Sequence, residues 1–173
     1  MPPTLIVMSG LPVAGKSSVA ERLSAALSLP VLSVDLIAAA LWGAGIPKEA
    51  TGRAPYQVAR ALAAEQLTLG LSVIVDAVNA GERTRALWRS LAIEHGVDLR
   101  IIECVCSDRE LHQQRVEQRR RDIPGMAEAT WEWVEQQRSV YAPWADERLV
   151  LDTSQLDIAD LATAAIAYVM YGE

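Results

Sequence analysis

Gly10-Leu11-Pro12-Val13-Ala14-Gly15-Lys16-Ser17 meets every fixed position of the G-x-x-x-x-G-K-[ST] phosphate loop. Its flanks fit as well. Thr4-Leu5-Ile6-Val7-Met8 is an apolar run of strand length, and Ser17 to Leu27 spaces Val19, Ala20, Leu23, Ala26 and Leu27 as a helix does. A strand, a glycine turn and a helix start form an anion nest, in which backbone N–H groups and the positive end of the helix dipole face phosphate oxygens. The binding set expected for a nucleoside triphosphate is Gly10, Pro12, Val13, Ala14 and Gly15 in the turn, then Lys16, Ser17 and Ser18 at the helix start. Lys16 is expected on the β/γ-phosphates and Ser17 on Mg²⁺. A side chain at Gly10 or Gly15 would block the turn or hold the backbone off the phosphates.

The chain of 173 residues suits one domain with a full core, and no linker or internal repeat divides it. A net charge of −6 speaks against a large nucleic-acid footprint. Met1-Pro2-Pro3 lacks the features of a signal peptide and no apolar run reaches membrane-spanning length, so a cytoplasmic location is expected, with no membrane partner. Cys104 and Cys106 read as buried strand residues; as metal ligands they lack partners, since His95 and His112 are the only histidines.

Strand-like and helix-like runs alternate, which predicts a parallel sheet covered on both faces. Strands are expected at 30–34, 71–76, 99–106 and 148–152 after the first. Helices are expected from Leu36 to Trp42, Val58 to Leu69, Glu82 to His95, Asp108 to Arg121, Thr130 to Val140 and Asp157 to Met170, with a loop from Lys48 to Tyr56. In the Glu82–His95 helix, Leu87, Trp88, Leu91 and Ala92 are expected to be buried, and Arg83, Arg85 and Arg89 to face solvent.

Three features narrow the chemistry. Asp35, read as the end of the second strand, can orient an attacking hydroxyl and accept its proton; it also suits an N-cap. Asp76 ends an apolar strand as a Walker-B acid does, to serve Mg²⁺ or the substrate, with Asn79 close by. Arg109, Arg115, Arg119, Arg120 and Arg121 form a basic cluster in which Arg115 and Arg119 share a helix face and can close on phosphates as a lid. A GTPase is disfavoured, because Asn79 is the only asparagine and no lysine follows it.

The phosphate loop, Ser33-Val34-Asp35, Val75 to Asn79, Cys106 to His112, Arg115-x-x-x-Arg119 and Arg148 to Asp152 together resemble the small P-loop kinase-like ATPases, the group of chloramphenicol phosphotransferase, zeta toxin and the polynucleotide kinase domain. The resemblance covers nearly the whole chain. It implies a three-layer α/β fold with a five-stranded sheet in 2-3-1-4-5 order, one domain over residues 1–173 and a lid near 108–128. It also implies Asp35 as catalytic base, Arg115 and Arg119 as lid arginines, and Thr153 beside adenine. Many relatives carry an arginine three positions after the aspartate; here Ala38 stands there, which turns the expectation towards a neutral or weakly charged small-molecule acceptor. Lys16, Asp35, Arg115 and Arg119 are thus the expected catalytic set, Ser17 and Asp76 the metal set, and ATP and Mg²⁺ the cofactors. Alternatives are a polynucleotide or nucleotide-sugar kinase and a nucleotide-responsive ATPase without an acceptor. Trp131, Trp133, Tyr141 and Trp144 read as core aromatics or, with Trp42, Arg138, Tyr56 and Arg60, as walls of the acceptor pocket.

Overall fold

Thr4–Ser9 (β1) is buried at all six positions, as the centre of a sheet covered on both faces must be. The computed structural model describes residues 2–120 and 123–172, so Met1 and Arg121 of the stretches above lie outside it. After β1 come α1 (Lys16–Leu27), β2 (Val31–Ser33), α2 (Val34–Gly43), α3 (Lys48–Thr51), α4 (Ala54–Thr68) and β3 (Val73–Asp76). Then follow α5 (Glu82–His95), β4 (Asp98–Val105), α6 (Arg109–Gln118), α7 (Trp131–Val140), β5 (Leu149–Asp152) and α8 (Ile158–Tyr171).

Among the described residues five strands form one parallel sheet in the order β2-β3-β1-β4-β5. Alternation along β1 sends Ile6 and Met8 into a core with α1 and α8, built on Leu23, Leu161 and Ala165. Leu5 and Val7 enter the opposite core with α4 and α5, where Ala59, Ala63, Trp88 and Leu91 meet them. The phosphate loop therefore leaves the carboxyl edge of the central strand, where open α/β sheets bind ligands. No helix of the described residues is long and apolar enough to cross a membrane.

Four expectations are corrected. The second strand ends at Ser33, whose side chain accepts from the Leu36 N–H at 3.4 Å; Asp35 thus lies in the first turn of α2 and is not the cap. Residues 48–56 are not a loop: α3 fills the start, and Pro55 lies in the first turn of α4, where its missing N–H costs nothing. The basic helix stops at Gln118, with Arg119 in extended backbone. Continuing it would stack like charges at i, i+4; instead Arg120 caps the end, donating to the Glu117 and Arg119 carbonyls at 3.0 and 2.7 Å. Arg85 is not solvated but only 2% exposed, because it lies three positions before Trp88 on the buried stripe of α5.

Candidate active site

The loop's glycines are fixed by what surrounds them. Gly10 has φ 133°, and a Cβ there would overlap the Cys104 carbonyl oxygen. Gly15 has φ 98°, and its Cβ would stand 2.8 Å from Thr153 Cγ2. Val13 also adopts a left-handed backbone, φ 61°, a strained state for a β-branched residue. The loop's carbonyls are engaged within the protein: Lys16 Nζ donates to Leu11 O at 2.9 Å, His112 Nε2 bonds Pro12 O at 2.9 Å, and Thr153 Oγ1 donates to Ala14 O at 3.1 Å. The start of α1 has neither a capping side chain nor an acid in its first turn. An uncapped helix start behind a loop with the Leu11, Pro12 and Ala14 carbonyls turned to other partners suits an anion.

Beside it, Ser17 Oγ donates to Asp76 Oδ2 at 2.7 Å. Lys16 is nearly buried; desolvation lowers its pKa, while Asp76, Cys104 and Asp35 pull it back up. Asn79 does lie close by but is committed to the fold: Nδ2 donates to Met8 O and Oδ1 accepts from Trp88 Nε1, both at 2.8 Å. Tyr56 is pushed up to about 12 by desolvation, with the Asn79 backbone opposing and Asp35 and Asp76 adding to the rise, so its phenol keeps its proton at neutral pH.

Two cavities meet at this loop. One, of about 730 Å³, is lined by Gly15, Lys16, Ser17, Ser18, Arg115 and Thr153, with Leu156 and Ile158 further out. The other, of about 620 Å³, is lined by Asp35, Pro12, Tyr56, Trp42 and Trp133. Val13 and Arg119 line both. Gly10 and Ala14 instead back onto a smaller space of about 250 Å³ behind the loop, with His112, Glu103 and Tyr141.

The structure thus gathers most of the expected set. Arg115 points to Thr153, donating to its Oγ1 at 2.8 Å and its carbonyl at 2.7 Å. Arg109 pairs with Glu135 and Arg60 with Glu94, so neither faces the cavities. The aromatic group divides: Trp42, Tyr56 and Trp133 line the second cavity, while Tyr141 and Trp144 join Ser9 and Glu103 in a polar network below it. Trp131 packs edge-on to His112, and Arg138 donates to His112 Nδ1 at 3.2 Å. His112 carries no role in the sequence reading, where it ends a resembling stretch; its spacing of four from Val116, the other buried residue of α6, is the sign of its burial.

Several solved structures share this fold. A candidate kinase from Chloroflexus aurantiacus aligns with TM-score 0.74 at 21% identity, over 99% of this chain and 98% of its own. A gluconokinase from Sinorhizobium meliloti aligns with TM-score 0.67 at 19% identity, over 97% and 92%. The APS kinase of Mycobacterium tuberculosis, in complex with AMPPNP and APS, aligns with TM-score 0.66 at 19% identity, over 98% of both chains. At such identities the likeness carries the P-loop fold, and no curated protein sequence matches the chain. A sequence model of an AAA domain matches residues 5–144, from β1 through the phosphate loop, Asp35, Asp76 and α7, and the chain belongs to that family, AAA_33.

Proposed function

We propose that this protein is an ATP- and Mg²⁺-dependent phosphotransferase that moves the γ-phosphate of ATP to a hydroxyl of a small molecule. The observation that carries the reading is the meeting of two cavities at one phosphate loop, with Lys16 and Ser17 on one side and Asp35 on the other. The 730 Å³ cleft takes the nucleotide, with its triphosphate at the loop and Thr153 near the base. Ser17 and Asp76 offer two hard oxygen donors, a set that suits Mg²⁺, which keeps several waters and few protein ligands. Bound there, Mg²⁺ would neutralise charge on the β- and γ-phosphates.

The acceptor enters the second cavity. Asp35 orients its hydroxyl and takes the proton as the oxygen bonds to the γ-phosphorus and the bond to ADP breaks. Lys16 and Arg119 balance the negative charge of the transferring group; Arg119 reaches both reactants because it lines both cavities. Arg115, held on Thr153 by α6, stands beside it on the nucleotide side, and the whole chain acts as one domain. The gluconokinase and APS kinase among the similar folds act on small molecules, which supports such an acceptor.

The test is to incubate the protein with γ-labelled ATP, magnesium and a metabolite extract and to identify the labelled product. Asp35→Asn should cut transfer roughly 10²–10⁴-fold and leave ATP affinity unchanged. Transfer at the wild-type rate in that variant would sink the role given to Asp35.

A further inference from the structure

Building on the phosphotransfer reading, we infer that the acceptor is an alcohol with an apolar, ring-bearing body, and not a polyol or a sugar acid. The cavity beside Asp35 has room for a ligand of about two rings. Its wall near the phosphate loop is Pro12, Val13, Val34 and Ala38, and the turn after β3 adds Val78 and Ala80. Two indoles enter from separate elements, Trp42 of α2 and Trp133 of α7, and the segment between α6 and α7 contributes Ile123 and Met126. Trp133 keeps 42% of its surface exposed, so a large aromatic stays available instead of being packed away.

The apolar walls are interrupted by polar side chains, part of them engaged within the protein: Thr84 donates to the Gly81 carbonyl and Thr130 caps α7, while Arg83, Glu128 and Gln137 also line the cavity. Asp35 and Tyr56 share the neighbourhood of Lys16 and Asp76, at the reacting end. The Lys48 ammonium sits over the Trp42 ring, 4.5 Å from its centroid, and Arg119 is shared with the nucleotide cleft. A polyol brings a hydroxyl on every carbon, and apolar walls would strip their water without replacing it. A flat apolar body meets the indoles and aliphatic walls and presents one hydroxyl to Asp35.

Calorimetric titration with 2-naphthaleneethanol and with D-gluconate, AMPPNP and magnesium being present, decides the matter. The naphthalene alcohol should bind at least roughly tenfold more tightly, and Trp42→Ala and Trp133→Ala should each weaken it roughly fivefold without moving AMPPNP affinity. Gluconate binding as tightly as the naphthalene alcohol, or naphthalene binding unmoved in both variants, overturns the inference. The two readings fail separately. Naphthalene binding through the tryptophans with no phosphate transferred to any alcohol would remove the kinase and keep the ligand class, whereas efficient phosphorylation of gluconate would do the reverse.

Discussion

Ser17 Oγ and Asp76 Oδ2 stand 2.7 Å apart, so the first turn of α1 and the end of β3 meet in one polar contact at the middle of the sheet. Asp76→Asn keeps an oxygen for the Ser17 proton and removes the charge. ATP affinity measured by calorimetry without magnesium should then stay within about twofold, while the tightening produced by added magnesium should shrink roughly tenfold. Equal magnesium dependence in variant and wild type would show that this carboxylate does not serve the ion.

Arg85 ties two loops together. It donates to Asn79 O at 2.9 Å, Pro143 O at 2.7 Å and Ala142 O at 2.6 Å, and its guanidinium lies 4.0 Å from the Trp144 ring centroid. Arg85→Met fills similar space but orphans those carbonyls, at a cost of about 2–4 kcal/mol in urea unfolding. A change below about 0.5 kcal/mol would mean that water replaces the guanidinium, as it does at ordinary surface sites.

Arg85 also shows where sequence reasoning stops. The span of α5 was legible in full, from Glu82 to the left-handed Gly96 after His95, because an amphipathic pattern and a C-terminal glycine are local signals. Residue 85 falls on the buried stripe with Trp88 and Ala92, but its charge argued for solvent; only the carbonyls of residues 142 and 143, far along the chain, reverse that. The phosphate loop is legible for the same local reason, a motif set between a strand and a helix, whereas the sheet order follows only from the family resemblance and not from any spacing. What joins Arg119 to both cavities, or splits Trp133 from Trp144, depends on how α6 ends and where α7 lands. No spacing encodes that.

Gly15 faces Thr153 across the loop, and Thr153 is itself held by Arg115. Gly15→Ala meets two obstacles, the positive φ and the Thr153 methyl 2.8 Å from the new Cβ. ATP affinity should fall roughly tenfold or more. Adding Thr153→Ser removes the methyl and keeps the hydroxyl that bonds Ala14 O. The double variant should recover part of the loss; no recovery would assign the whole effect to backbone strain.

Arg115 and Arg119 should separate kinetically. Arg115 is anchored to Thr153 on the nucleotide side, whereas Arg119 lines both cavities. Arg115→Ala should raise the KM for ATP more than that for the acceptor. Arg119→Ala should lower kcat, by roughly 10²-fold if it balances charge in the transition state. Equal effects on ATP KM with kcat untouched in both variants would reduce the pair to simple nucleotide contacts.

His112 links α6 to the loop, and its partners fix its proton. Pro12 O can only accept, so Nε2 carries the hydrogen and Nδ1 accepts from Arg138. Burial lowers its pKa from the ordinary 6.5; the Pro12 carbonyl opposes this, and Arg138, Arg115 and Lys16 add to the lowering. The unfolded chain therefore takes up this proton near pH 6.5, and the folded chain only at lower pH. Within that window the unfolded state holds more protons, so the stabilisation is complete above 6.5 and is lost as the pH falls towards the folded value. Asp152, held down at about 2 by hydrogen bonds from Ser107 and Ser154 that outweigh its desolvation, titrates too low to interfere. Calorimetric Tm should drop by about 2–4 °C between about pH 7.5 and about pH 5.5 on account of this group. His112→Gln keeps a donor for Pro12 and an acceptor for Arg138 but cannot titrate, so that part of the drop should vanish. An identical drop in the glutamine variant would place the acid sensitivity elsewhere in the chain.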